Sequence, residues 1–149
     1  IVGKLAQQEP LWEPETQSGY HSVTFGFLVG EVILLVSGKT VGTFLGEEVA
    51  EPLGADFHIG LGDEHFGRVA ELSVPILDRE SIRPSINPAI ALIAGNAAEW
   101  RRAEILAANG HGNAHSVAQV MSALACGGEV DGVRLLSAEA IDNLIREQV

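Results

Sequence analysis

From Ser22 to Ser37 the chain is apolar at almost every position. Val23, Phe25, Phe27, Leu28 and Val29 are followed by Val32 to Val36, and only Thr24, two glycines and Glu31 interrupt. Such a run reads as one helix, and the absence of a polar face predicts a central, buried element. Ser22 or Thr24 is placed to cap it, since a hydroxyl accepts from the free amides of a first turn. Gly38 suits a left-handed stop. Gly26 and Gly30 lie on one face and each costs about 1 kcal/mol of helix propensity against alanine. Their presence predicts that another backbone comes close there. Thr40 opens a second helix over 41–50, with Phe44, Leu45 and Val49 inward and Pro52 and Gly54 ending it.

The remainder alternates between short elements and punctuation. Residues 1–19 carry Pro10, Pro14 and three glutamates, and read as a loop after a short helix. Residues 55–60 form a short extended piece. Residues 63–67 form a turn or short helix, and 69–74 alternate like a strand. Residues 78–88 read as an irregular loop, and 88–94 and 96–107 as helices parted by Gly95-Asn96. Residues 109–113, Asn-Gly-His-Gly-Asn, read as a tight turn. A helix over 114–125 points Val117, Val120, Met121 and Leu124 inward and stops at Gly127-Gly128. Asp131-Gly132 favours a type I′ turn inside a hairpin over 129–136. Ser137 caps a last helix, with Glu139 in its first turn. The expected class is mainly α with minor β.

Composition narrows the function. Of 149 residues, 46% are hydrophobic and 19% charged, enough to build a core. The net charge of −11 repels phosphate backbones and anionic lipid, so neither nucleic acid nor a membrane surface is an expected partner. The longest apolar stretch, 25–36, falls short of the roughly 20 residues that a membrane-spanning helix needs. The single cysteine, Cys126, follows Ala123, Leu124 and Ala125 and reads as a small buried hydrophobe. No stretch resembles a signal peptide, which makes a cytoplasmic location the expectation. The chain opens on Ile1 and stops at Val149 within a helical pattern, so 1–149 is expected to be part of a longer domain.

Several motif-like fragments fail on context. Ile1-Val2-Gly3 resembles the mature start of trypsin-like proteases, yet no Gly-Asp-Ser-Gly-Gly follows. Gly38-Lys39-Thr40 resembles the end of a phosphate-binding loop, but Ile33 stands where its first glycine belongs. Lys-Thr also resembles the Lys-Thr-Gly of penicillin-recognising enzymes, but here it joins two helices. His111 and His115 have a helical ligand spacing, yet Gly112 and Asn113 intervene and no glutamate stands between them, so no metal site is assigned. No Gly-x-Ser-x-Gly and no Ser-x-x-Lys occurs, so the chain contains no recognisable nucleophile. Tyr20-His21-Ser22 remains: three proton-handling side chains directly ahead of the apolar helix.

The run Trp12, Glu13, Pro14, Thr16, Gly19, Tyr20, His21, Thr24, Gly26, Leu28, Gly30 and Glu31 resembles the middle of the serine β-lactamase-like family. It is nearest the esterase branch, the family VIII carboxylesterases. Residues 51–61 and 109–137 extend the likeness over nearly the whole chain. The resemblance implies the helical region of the β-lactamase/transpeptidase-like α/β fold, present in part. It implies a serine nucleophile in Ser-x-x-Lys, a tyrosine that works with that lysine in proton transfer, and a third motif on an edge strand. Only the tyrosine maps here, onto Tyr20, the implied catalytic residue. Ser22 stands where lactamases carry asparagine, which favours ester hydrolysis. Ser22, His21, His111 and Asn113, with Gly110, are the implied rim of the substrate pocket.

The implied function is cleavage of small carboxylic esters through an acyl-serine intermediate. No cofactor and no metal is expected. The rival readings are a non-catalytic truncated fragment or binding module of the same fold, and a β-lactamase or D-amino-acid peptidase. Apolar surface left uncovered would invite a second copy or the remainder of the domain as partner.

Overall fold

The computed structural model describes residues 1–73 and 95–147. Of these, 46% are helical and 8% are strand, in keeping with a mainly α class. The chain divides into two compact units: Ile1–Val41 with Ile59–Gly110, and Gly42–His58 with His111–Val149. It passes between them three times, after Val41 and within two short strands, β1 (Phe57–Ile59) and β2 (Gly110–Gly112), which pair with each other.

In the first unit a short helix, α1 (Val2–Leu5), packs on the long apolar helix, α2 (Thr24–Ser37). The end of α2 is as the sequence predicts. Gly38 adopts φ 72° and its N–H donates to Leu34 O at 2.8 Å. Ser37 Oγ donates to Ile33 O at 2.6 Å and accepts from Lys39 N at 3.1 Å. The start differs: Val23 occupies the cap position and no side chain caps the amides. Thr24 Oγ1 pairs instead with His21 Nε2.

The close approach predicted from the two glycines occurs at one of them. A Cβ on Gly26 would lie 2.5 Å from the backbone nitrogen of Ala107, so that strand of backbone rests directly on the helix. Nothing comes within 4 Å of such a position on Gly30. Burial does not follow the expectation either. Gly26 is the sole buried residue of α2. Phe25, Val32, Leu35 and Val36 are exposed, the last by 83%. A segment that is apolar all round has no preferred face, so its sequence states a demand for cover without saying which side receives it.

The expected helix over 96–107 is cut to one turn and a half, α4 (Ala98–Arg102), labelled after the helix that follows α2. Ala103 swings to φ −70°, ψ 139°, and leaves the helical region. The buried carboxamide of Asn109 takes over from the missing ladder. Its Oδ1 accepts from Ile105 N at 2.9 Å, and its Nδ2 donates to Trp100 O at 2.9 Å and to Ala103 O. Asparagine holds two donors and one acceptor on a single short stem, so one side chain satisfies three backbone groups. Asn109 is 3% exposed.

A 3-10 helix, Asp63–Arg68, appears where a turn or short helix is expected. Phe66 on it lies beneath two guanidinium groups, Arg101 at 5.6 Å and Arg102 at 5.3 Å from the ring centre. Arg102 grips Asp63 with a fork of 2.6 and 2.9 Å. That hydrogen-bonded cation holds the Asp63 carboxyl below its usual range and raises Arg102 in turn. Residues 69–73 form no strand, contrary to expectation. Asn96 instead clasps Leu72 there, accepting from its N at 2.8 Å and donating to its O at 2.9 Å. Val74, the loop over 78–88 and the helix over 88–94 lie outside the described residues.

In the second unit, α3 (Val41–Leu45) runs into a π-helical turn, Gly46–Ala50. Next comes α5 (Ala114–Ala125), which ends at Gly127 and Gly128 with φ 77° and 94°. Its buried residues are Ser116 and Ala123, at 1% and 0% exposure. Val117 and Met121, expected inward, are 46% and 53% exposed. At Ser116 the space is small because Gly112 of β2 lies close beneath the first turn. Cys126, expected to be buried, is exposed just past the helix end.

The hairpin β3 (Glu129–Val130) and β4 (Val133–Arg134) forms in the predicted register, Val130 opposite Val133, around Asp131 (φ 51°) and Gly132 (φ 81°). Gly128 O accepts from both Leu135 N and Leu136 N, at 2.9 and 3.1 Å, which docks the hairpin on the helix end. Ser137 caps α6 (Ala138–Leu144) as expected, accepting from Ala140 N at 3.1 Å.

Two measurements check this account. Asn109→Ala strands buried backbone groups and should lower unfolding free energy by about 2–4 kcal/mol, read by urea titration. Asp63 has a depressed carboxyl, so its contribution is present above the unfolded-state value near 4 and is lost as pH falls through the folded one. The drop in Tm on acidification from about pH 5 to about pH 3 should therefore be smaller in Asp63→Asn than in the parent chain.

Candidate active site

Tyr20 stands four residues ahead of α2, not on its first turn. It is 90% exposed, and its phenol has no hydrogen-bond partner among the described residues. His21 is exposed, paired with Thr24 and tilted 59° against the Phe25 ring at 6.4 Å. Ser22 is half-buried. Consecutive in a stretch that is neither helix nor strand, the three residues carry a phenol, an imidazole and a hydroxyl just ahead of the helix.

The residue just ahead of Tyr20, Gly19, is covered by a side chain. Trp12 Nε1 donates to Gln17 O at 3.1 Å, and a Cβ on Gly19 would lie 2.5 Å from Cη2 and 2.8 Å from Cζ2 of the indole. The loop between is drawn tight by Thr16, whose Oγ1 donates to Glu13 O at 2.6 Å and whose N donates to the same oxygen at 3.3 Å. Glu15 takes φ 69° to complete the bend.

The remaining candidates belong to the second unit, apart from Gly110. His111 is half-buried in β2, so residues 109–113 form a strand edge rather than the tight turn expected. A Cβ on Gly112 would lie 2.6 Å from Phe57 Cδ2 and 2.8 Å from Ser116 Oγ, which only glycine tolerates. Asn113 is the cap of α5: its Oδ1 accepts from Ser116 N at 2.9 Å, and Ser116 Oγ accepts from Asn113 N at 2.9 Å. This reciprocal box leaves the Nδ2 side of Asn113 at the exposed surface. His115 is exposed in the first turn of α5. Among the described residues, no three His, Cys, Asp or Glu side chains converge as metal ligands would. No single helix among them is long and apolar enough to cross a membrane.

The profile of the Beta-lactamase family covers residues 1–149. The chain belongs to the Beta-lactamase family. A curated relative is the esterase/beta-lactamase LipL of Mycobacterium tuberculosis (strain ATCC 25618 / H37Rv), 36% identical over 152 residues, covering 89% of this chain and 35% of that protein. Among solved structures, a penicillin-binding protein homologue from Caulobacter crescentus superposes with TM-score 0.83 at 42% identity, over 99% of this chain and 41% of that one. A family VIII carboxylesterase gives TM-score 0.78 at 38% identity, over 94% and 39% of the two chains. EstA from Arthrobacter nitroguajacolicus Rue61a gives 0.81 at 28%, over 99% and 43%. The chain therefore spans about two fifths of the Beta-lactamase-family proteins it matches.

Sequence reading located Tyr20 and its neighbours but gave no role to Trp12, Gly19 or Gly112. The signal was present in Gly19, which directly precedes the tyrosine and has a bulky aromatic seven positions before it. The capping role of Asn113 is testable: Asn113→Ala should cost about 1 kcal/mol of stability while Asn113→Ser costs far less, measured by thermal unfolding.

Proposed function

We propose that this chain is the tyrosine-bearing segment of a serine hydrolase that cleaves small carboxylic esters through an acyl-serine intermediate. The supporting observation is Tyr20 itself: an accessible phenol, next to half-buried Ser22, which the sequence resemblance sets against the family's tyrosine. The relatives that carry esterase or carboxylesterase in their names support the choice of ester.

A serine hydroxyl is a weak nucleophile until a neighbour removes its proton. No serine of this chain has a lysine three positions on, so the nucleophile and its lysine come from elsewhere in the assembled enzyme. Tyr20, as phenolate, takes the hydroxyl proton while Oγ bonds to the ester carbonyl carbon. The phenol then returns that proton to the departing alkoxide as the carbon–oxygen bond breaks. In the second half a water attacks the acyl-serine. Its proton passes to Tyr20 and on to serine Oγ as the acid leaves, so the enzyme is restored and no redox partner enters. Proton transfer of this kind contributes about 10²–10⁴-fold.

A second reading is acyl transfer from a β-lactam or a D-amino-acid peptide, favoured by the likeness to a penicillin-binding protein homologue. Ser22, in place of the lactamase asparagine, weighs towards esters. In the full-length gene product, Tyr20→Phe should lower kcat on a short-chain p-nitrophenyl ester by at least about 100-fold with the fold intact by circular dichroism. Undiminished turnover would remove Tyr20 from the chemistry. Faster hydrolysis of a chromogenic cephalosporin than of the ester would favour the second reading.

A further inference from the structure

Tyr20 poses a mechanical problem. A proton-transfer group must be held to about half an ångström, yet this phenol is 90% exposed and touches no described hydrogen-bond partner. Within this segment, precision starts at the root of the side chain, the backbone of residues 19 and 20. That backbone lies outside every helix and strand, so no ladder of main-chain hydrogen bonds fixes it. On the carboxyl side, His21 is tied to Thr24 at the start of α2. On the amino side the restraint seen among the described residues is one side chain. The six-membered ring of Trp12 lies on the α-carbon of Gly19, and its N–H is anchored on Gln17 O at 3.1 Å. Glycine is the residue with the widest range of backbone angles, so Gly19 left uncovered would be a swivel next to the reacting phenol. Glycine is also the one residue whose α-carbon the ring can touch.

We propose that Trp12 is a positioning residue for Tyr20: its indole, clamped on Gly19, locks the swivel that carries the phenol. The inference rests on Tyr20 acting in proton transfer, as proposed above. Trp12 is 38% exposed and roots in a surface loop, so its loss alters the aim of Tyr20 more than it alters the core. Misplacement by about 1 Å costs on the order of 100-fold in turnover. Substrate binding, made elsewhere, changes little.

The test uses the full-length gene product with ¹⁵N-tyrosine. The Tyr20 amide signal is assigned as the one that vanishes in Tyr20→Phe. Trp12→Ala should lower the heteronuclear NOE of that signal and reduce kcat by about 10–100-fold, with KM within about 3-fold. Trp12→Phe, which keeps a ring over Gly19 but loses the N–H, should restore a large part of both. Gly19→Ala drives a methyl into the ring and should reproduce the loss in kcat. The double variant should be no worse than Trp12→Ala, because the methyl then meets nothing. An unchanged NOE and kcat in Trp12→Ala, beside an inactive Tyr20→Phe, would overturn the proposal. Additive losses in the double variant would also overturn it. If Tyr20→Phe is fully active, the esterase reading of Tyr20 fails and the positioning role fails with it. A fallen NOE in Trp12→Ala would still separate that result from a ring that never held Gly19.

Discussion

The first unit is organised around one buried carboxamide. Asn109 bonds three backbone groups across residues 100–105 and so substitutes for a helix that stops at Arg102. Because that turn is fixed, Ala107 presents its backbone at a constant height, and Gly26 of α2 can lie against it with no room for a methyl. α2 is thereby seated at its first turn, directly after the stretch that carries Tyr20. The same asparagine leads into β2, whose strand carries His111 and ends at the cap residue Asn113. Removing an amide so placed leaves several polar groups without partners in a dry site, a cost larger than that of any surface ion pair.

Much of this was legible in the residues, and for identifiable reasons. Helix ends were read correctly wherever a glycine with positive φ makes the stop, at Gly38 and at Gly127-Gly128, because few other residues accept that geometry. The Asp131-Gly132 hairpin and the Ser137 cap were read for the same reason: each is a local rule about a few adjacent atoms. Burial was read poorly. α2 is apolar on every side and α5 carries aliphatics on two, so periodicity could not choose the covered face. The shortened α4 and the strand at 110–112 depend on contacts made at long separation in sequence, which a local pattern does not contain.

For the candidate site, Tyr20, His21 and Ser22 stood out as polar residues at an apolar boundary; Tyr20 and His21 are exposed and Ser22 is half-buried. The second group behaves differently. Asn113 spends its Oδ1 on the first turn of α5, and His111 sits within a strand, so each has a local duty besides any towards a ligand. Trp12 enters the sequence reading only as part of the family-like run, because a tryptophan in a proline-rich loop shows no role of its own until the glycine it covers is seen.

The exposed sulfur at the end of α5 has a practical consequence. Cys126 is the only thiol in these 149 residues, so no disulfide can form within them. In air, two molecules can join through this atom, and preparations kept without a reductant will accumulate covalent pairs over time. Conversely, a maleimide dye attached there marks a single defined point, two residues from the glycine that docks the hairpin.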